Sequence, residues 1–222
     1  MRYISIKADW LIFVSPLLKL FGLGGVLLVS GCSLLQPVTS QSMNTYALEA
    51  KVEPSVAPKN ALTLMVSMPL ARPGFDSTGM VYIQKPHELN YFAKNQWVAS
   101  PPKMLAPLLI EALERQSSFR AVMQSSGSAI ADVRLDTEIV RFQQIFLTNP
   151  STFQMTIRAQ LVDIHGKKVV ATQEFDISEN ALSDDPYGGV IAANRAATKL
   201  LNQIAEFCTI HTAKITQRDP QK

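Results

Sequence analysis

Cys32 closes the stretch Leu28-Val29-Ser30-Gly31-Cys32, and a cysteine in that company is placed for acylation. The pattern is that of a lipobox. Val29 supplies the branched apolar residue three places before the cysteine, and Ser30 and Gly31 are small enough to let a signal peptidase reach the bond ahead of it. Arg2, Lys7 and Lys19 form a positive flank and residues 20–29 an apolar core, the layout of a secretory signal and not of a membrane span; Asp9 is one tolerable exception. The expected chemistry is removal of residues 1–31 and attachment of a diacyl thioether plus an amide-linked chain, such as palmitate, to Cys32. A single acyl chain holds a protein to a bilayer marginally, at roughly 0.8 kcal/mol per buried methylene, whereas this set holds it almost permanently. The competing reading is an uncleaved signal anchor with an incidental cysteine. Ser33, where an aspartate would favour inner-membrane retention, directs the expectation to the periplasmic face of the outer membrane of a diderm cell.

Little else in the chain points to reactive chemistry. No nucleophile motif, phosphate loop or metal-ligand cluster is present, and His87, His165 and His211 lie far apart. No catalytic residue, metal or cofactor beyond the covalent lipid is therefore expected. Asp184-Asp185 reads as a helix cap before a cation site, and Ser125-Ser126-Gly127-Ser128 as a loop, because a nucleophile elbow requires Gly-x-Ser-x-Gly between strand and helix. Tyr82, Tyr91, Phe92 and Trp97 are the densest aromatic group. They read first as a packed corner of the core and, as the sharper alternative, as a contact patch for a partner protein or an acyl chain.

Any such patch must be positioned by one domain. About 190 residues follow the cleavage site, and a chain of that size buries roughly 70% of its unfolded surface. The formal charge of +3 is small and partly lost with the signal, so nucleic-acid binding has no support. Cys208 is the other cysteine; it reads as a small buried hydrophobe, with an intermolecular disulfide as the alternative. Residues 32–45 form a flexible tether, and for roughly 13 residues of this composition the root-mean-square reach is on the order of 20 Å.

The domain proper is expected over 46–210, with 211–222 a polar tail. Residues 46–48 could form a first strand. Period-two alternation predicts further strands at 62–68, 80–84, 88–92, 119–123, 131–147, 152–164 and 168–177, with a bulge near Val140-Arg141-Phe142. Lys85-Pro86-His87 and His165-Gly166-Lys167 read as turns. Two helices are predicted, over 102–116 with Pro107 awkwardly inside, and over 186–209 behind an Asp-Asp-Pro start. Val190, Ala193, Ala197, Leu201, Ile204 and Cys208 form the second helix's apolar stripe. The fold class is α/β: a single domain, its sheet mixed or largely antiparallel, with two main helices packed on it.

Several blocks stand in a recurring order: Met80-Val81-Tyr82, Leu89-Asn90-Tyr91-Phe92, Trp97, Ser100-Pro101-Pro102-Lys103-Met104-Leu105, then Ala131-Asp132-Val133-Arg134-Leu135 and Gly188-Gly189-Val190-Ile191-Ala192-Ala193-Asn194. Behind a lipobox, this order resembles the ABC-type transport auxiliary lipoprotein family of the paraquat-inducible protein C type. The resemblance implies a docking or receiving subunit of a system in which MCE-domain proteins and ABC components move lipid between membranes. It implies no catalytic residues, leaves open whether the domain holds phospholipid itself, and admits a homo-oligomer matched to a multimeric partner. Two rivals remain: a plug or assembly lipoprotein of an outer-membrane barrel, and a periplasmic hydrolase, which would need a polar cluster in a cleft.

Overall fold

A computed structural model describes residues 42–54, 62–116, 119–124 and 130–218. The expected signal peptide with Val29, Ser30, Gly31 and Cys32, most of the tether, and the 125–128 loop lie outside the described residues. Everything described belongs to one compact unit, Ser42–Lys222.

The sheet is organised by its length requirements. Among the described residues its nine strands are, in chain order, β1 (Asn44–Tyr46), β2 (Thr63–Val66), β3 (Leu70–Ala71), β4 (Gly79–Ile83), β5 (Asn90–Trp97), β6 (Ala121–Gln124), β7 (Val133–Ile145), β8 (Thr152–Asp163) and β9 (Lys168–Asn180). The thirteen residues of β7 extend roughly 44 Å. That is long enough for three short strands to line one edge in tandem: β2 at Leu64↔Val133, β3 at Leu70↔Glu138 and β4 at Val81↔Gln143, all parallel. Its other edge pairs antiparallel with β8, and β8 with β9. β6 extends the sheet beyond β2, while β5 lies antiparallel to β4 and β1 parallel to β5. The sheet is thus mixed.

Alternation decides which face is covered. Val133, Leu135, Thr137 and Ile139 point to the buried side, and the register then slips between Ile139 and Arg141. This is the expected bulge. Beyond it Phe142 and Gln144 take over the buried side, so the extra residue reverses which parity faces inward. The opposite face carries Arg134, Asp136, Glu138, Arg141 and Gln143. There Arg134 donates to both oxygens of Asp136 at 2.9–3.0 Å, Asp136 accepts from Ser67 Oγ at 2.6 Å, and Arg72 meets Glu138 at 3.2 Å.

Both helices, α1 (Pro101–Gln116) and α2 (Pro186–Arg218), pack on the sheet: α1 on β2, β3, β6 and β7, and α2 on β8 and β9, with the helices touching each other. Leu105, Leu109 and Leu113 of α1 are at most 1% exposed, each contributing about 1.5–3 kcal/mol of apolar burial. Pro107 lies within α1 on its exposed side. The predicted stripe of α2, Val190 to Cys208, is buried throughout, and Ala192, Ala193, Ala196 and Ala197 let the helix approach closely. The chain between β1 and β2 crosses this layer as far as Val52: Glu49 N donates to Asn194 Oδ1 at 2.5 Å, and Arg115 reaches Val52 O at 3.4 Å.

The second helix corrects the sequence-based expectation at its end. It continues to Arg218, where a polar tail was predicted from 211. The Thr209 and Thr212 hydroxyls donate to Ala205 O and Cys208 O at 2.9 and 2.7 Å, so the helix's own carbonyls satisfy them. Thr212 is fully buried and Ile215 packs against the core. Both turns form, with His87 (φ 69°) and Lys167 (φ 49°) taking the left-handed conformation. Gly166 is held instead by Asp163, whose Oδ1 accepts its N–H at 2.8 Å.

Candidate functional site

The four aromatic residues singled out in the sequence separate in the fold. Trp97 is 1% exposed and stands edge-on to Phe142 and Phe153, with ring centroids 5.4 and 6.4 Å away. It is a core residue, as the first reading of the aromatic group has it, and is no part of the alternative contact patch. Tyr91 is exposed although plain alternation would put it on the same face as Trp97, six residues on; the register of β5 against β4 shifts between them, Gly79 pairing with Gln96 but Val81 with Tyr91. Its hydroxyl donates to Gly74 O at 3.3 Å, and its ring lies so close over Gly79 that a Cβ there would meet Tyr91 Cδ1 at 2.6 Å.

Tyr82 and Phe92 do come together. Their rings lie 4.4 Å apart on neighbouring strands, and Phe146 closes the group edge-on at 5.9 Å from Tyr82 and 6.3 Å from Phe92. All three are half-buried. Phe146 N donates to Ile83 O at 2.8 Å, which extends the β4–β7 ladder by one step and sets the ring beside Tyr82. Sequence reasoning missed Phe146; its signal was the Phe146-Leu147 pair running past the strand into Thr148-Asn149-Pro150. Leu147 and Leu182, 51% and 76% exposed, occupy loops at this same end of the sheet.

Those loops are tied together from below. Gln144 is 1% exposed, and its amide Nε2 donates to Ser151 Oγ at 3.0 Å and Asp185 O at 3.1 Å. Asp184 Oδ1 accepts the Ser151 N–H at 2.7 Å, and Ala181 N–H donates to Ser151 O at 2.7 Å. The Ser151 backbone and hydroxyl hold the Asp184 carboxyl below the usual carboxylate range. Asp185 caps α2 by accepting from Gly188 N–H at 2.7 Å, the role expected of the acidic pair. A side chain at Gly189 would strike the Gln144 amide, so glycine is what permits the helix start to sit on β7.

The remaining titratable groups are dispersed over the described residues. Among the described residues no three His, Cys, Asp or Glu side chains gather as a metal site. His165 meets Asp132 at 3.3 Å in its turn, and the His211 ring lies tilted against Phe207 with centroids 4.8 Å apart. Cys208 is fully buried, and burial pushes its thiol up to about 12, so it stays a protonated, inert packing group. A shallow depression at the end of α1, lined by Glu114, Phe119, Arg120, Ala121 and Val122, gathers no chemical constellation.

The fold places the chain in a class: mixed-sheet α/β domains with a helix pair packed on a long central strand. A crystal structure of a Xanthomonas campestris protein superposes with a TM-score of 0.72 at 23% identity, covering 78% of this chain and 99% of that one. A second, of an uncharacterized protein, gives 0.60 at 14% identity, covering 75% and 99%. These likenesses establish the fold. An uncharacterized protein of Bradyrhizobium diazoefficiens is 28% identical over 113 residues, 51% of this chain but 30% of that relative, so this chain spans only part of its length. The model of the ABC-type transport auxiliary lipoprotein component matches residues 46–205, and the chain belongs to that family. The family is described as a lipoprotein component auxiliary to ABC-type transport.

Proposed function

We propose that the protein is the docking or receiving subunit of an ABC/MCE-type intermembrane lipid transport system, anchored through acylated Cys32 at the periplasmic face of the outer membrane. The observation that carries this reading is the family match over residues 46–205, standing behind a lipobox. It acts by binding and performs no catalysis, with the covalent lipid as its one non-protein group. Its partners are an MCE-domain protein and the ABC components. Supporting the binding role, the side chains of Tyr82, Phe92 and Phe146 form a rigidly backed, half-buried aromatic group at one end of the sheet. The lipid anchor raises the domain's effective concentration at the membrane, as any tether does.

The test is a gentle-detergent purification of the full-length lipoprotein, with mass spectrometry of co-purifying proteins and extracted lipids. Recovery of an MCE-domain protein with its ABC components is the expected result, and enriched phospholipid would add direct lipid handling. Recovery of an outer-membrane barrel without them would transfer the protein to the barrel-assembly class.

A further inference from the structure

We infer that the Tyr82–Phe92–Phe146 end of the domain rests on a lipid bilayer, the one in which Cys32 is anchored. The inference rests on the acylation of Cys32. Three observations converge on it.

The first is apolar character. The three rings are half-buried, and Leu147 and Leu182 at the same end are 51% and 76% exposed. Aromatic rings with one wet edge are favoured where hydrocarbon meets water, and exposed leucines beside them would lie in contact with acyl chains.

The second is the direction from which the chain arrives. β1 runs parallel to β5, with Asn44 beside Asn95 and Tyr46 beside Trp97. The first residue of β1 is therefore the one nearer the start of β5, the side on which Phe92 lies. Nine residues, 33–41, lie between Cys32 and Ser42, and even fully extended that length of chain spans at most about 35 Å. A domain of this size spans roughly 40 Å. A tether shorter than the domain is wide cannot readily turn the far end of the sheet to the membrane, and it holds the Phe92 end near it.

The third is rigidity. The loops bearing Leu147 and Leu182 are joined through Ser151, Gln144, Asp184 and Asp185, so the surface is preformed and little ordering entropy opposes contact.

The experiment uses the acylated full-length protein in phosphatidylethanolamine–phosphatidylglycerol vesicles. An environment-sensitive fluorophore is placed through Leu182→Cys or, at the opposite end of the sheet, Val169→Cys; the native thiols do not compete, Cys32 being acylated and Cys208 fully buried. Flotation first establishes that each protein is membrane-bound. The expected result is a blue shift and several-fold stronger quenching by brominated acyl chains at 182 than at 169, reduced when Leu147→Asp is added. Equal quenching at both positions, or none at either in protein that floats, overturns the inference and leaves the anchor intact. Shielding of the 182 probe only when a transporter protein is added also overturns it and assigns the surface to that protein. Failure to float removes the anchor and the inference together.

Discussion

Gly189 and Gln144 show how much rests on single atoms beneath the aromatic end. The Gln144 amide occupies the space a Cβ at 189 would need, so Gly189→Ala overpacks a buried polar junction. We expect a loss of about 1–3 kcal/mol in denaturant unfolding, part of it recovered when Gln144→Ala is added, because the two changes share one contact. Charge acts at the same scale. Burial by itself raises the Glu179 carboxyl, but hydrogen bonds and charge from Lys199 and Arg195 outweigh it and hold the group below its ordinary range; Asp184 is lowered by Ser151. Both groups therefore bind protons less readily folded than unfolded. Their contribution is complete above the ordinary carboxylate range and is lost as pH falls through and below that range. The denaturation midpoint of the native protein should accordingly fall more steeply between neutral pH and about pH 3 than that of an Asp184→Asn, Glu179→Gln double variant.

At the scale of elements, α2 carries the largest difference between expectation and fold. Its last turns bury Thr212 and pack Ile215, so they belong to the domain. Relative to a chain ending at 218, a chain ending at residue 210 should lose on the order of 2 kcal/mol or more, the worth of a buried apolar side chain with its helical turn. Calorimetry of the two truncations decides this. β7 makes the opposite point: its alternation and its slip near Val140 were legible in advance, because a strand's period is a local property. Trp97 was not. It ends β5 facing the helices, and the strand's aromatic side chains divide between core, aromatic end and open face according to parity and register.

For the whole molecule, the anchor and the domain should be separable. Cys32→Ala is expected to move the protein from the membrane to the soluble fraction while leaving its unfolding curve unchanged, since among the described residues the buried core is built from residues beyond 46. Cell fractionation and denaturant titration of the same preparation check both halves. The sequence alone determined what depends on neighbours in the chain: the lipobox order, the strand periods, the Asp185 cap, the apolar stripe of α2 and the family blocks. Only the tertiary structure decided that three short strands share one edge of β7, that Phe146 joins Tyr82 and Phe92, and that Trp97 is core. Those outcomes depend on pairing register and on contacts between residues as far apart as 82 and 146, and no local pattern carries that distance.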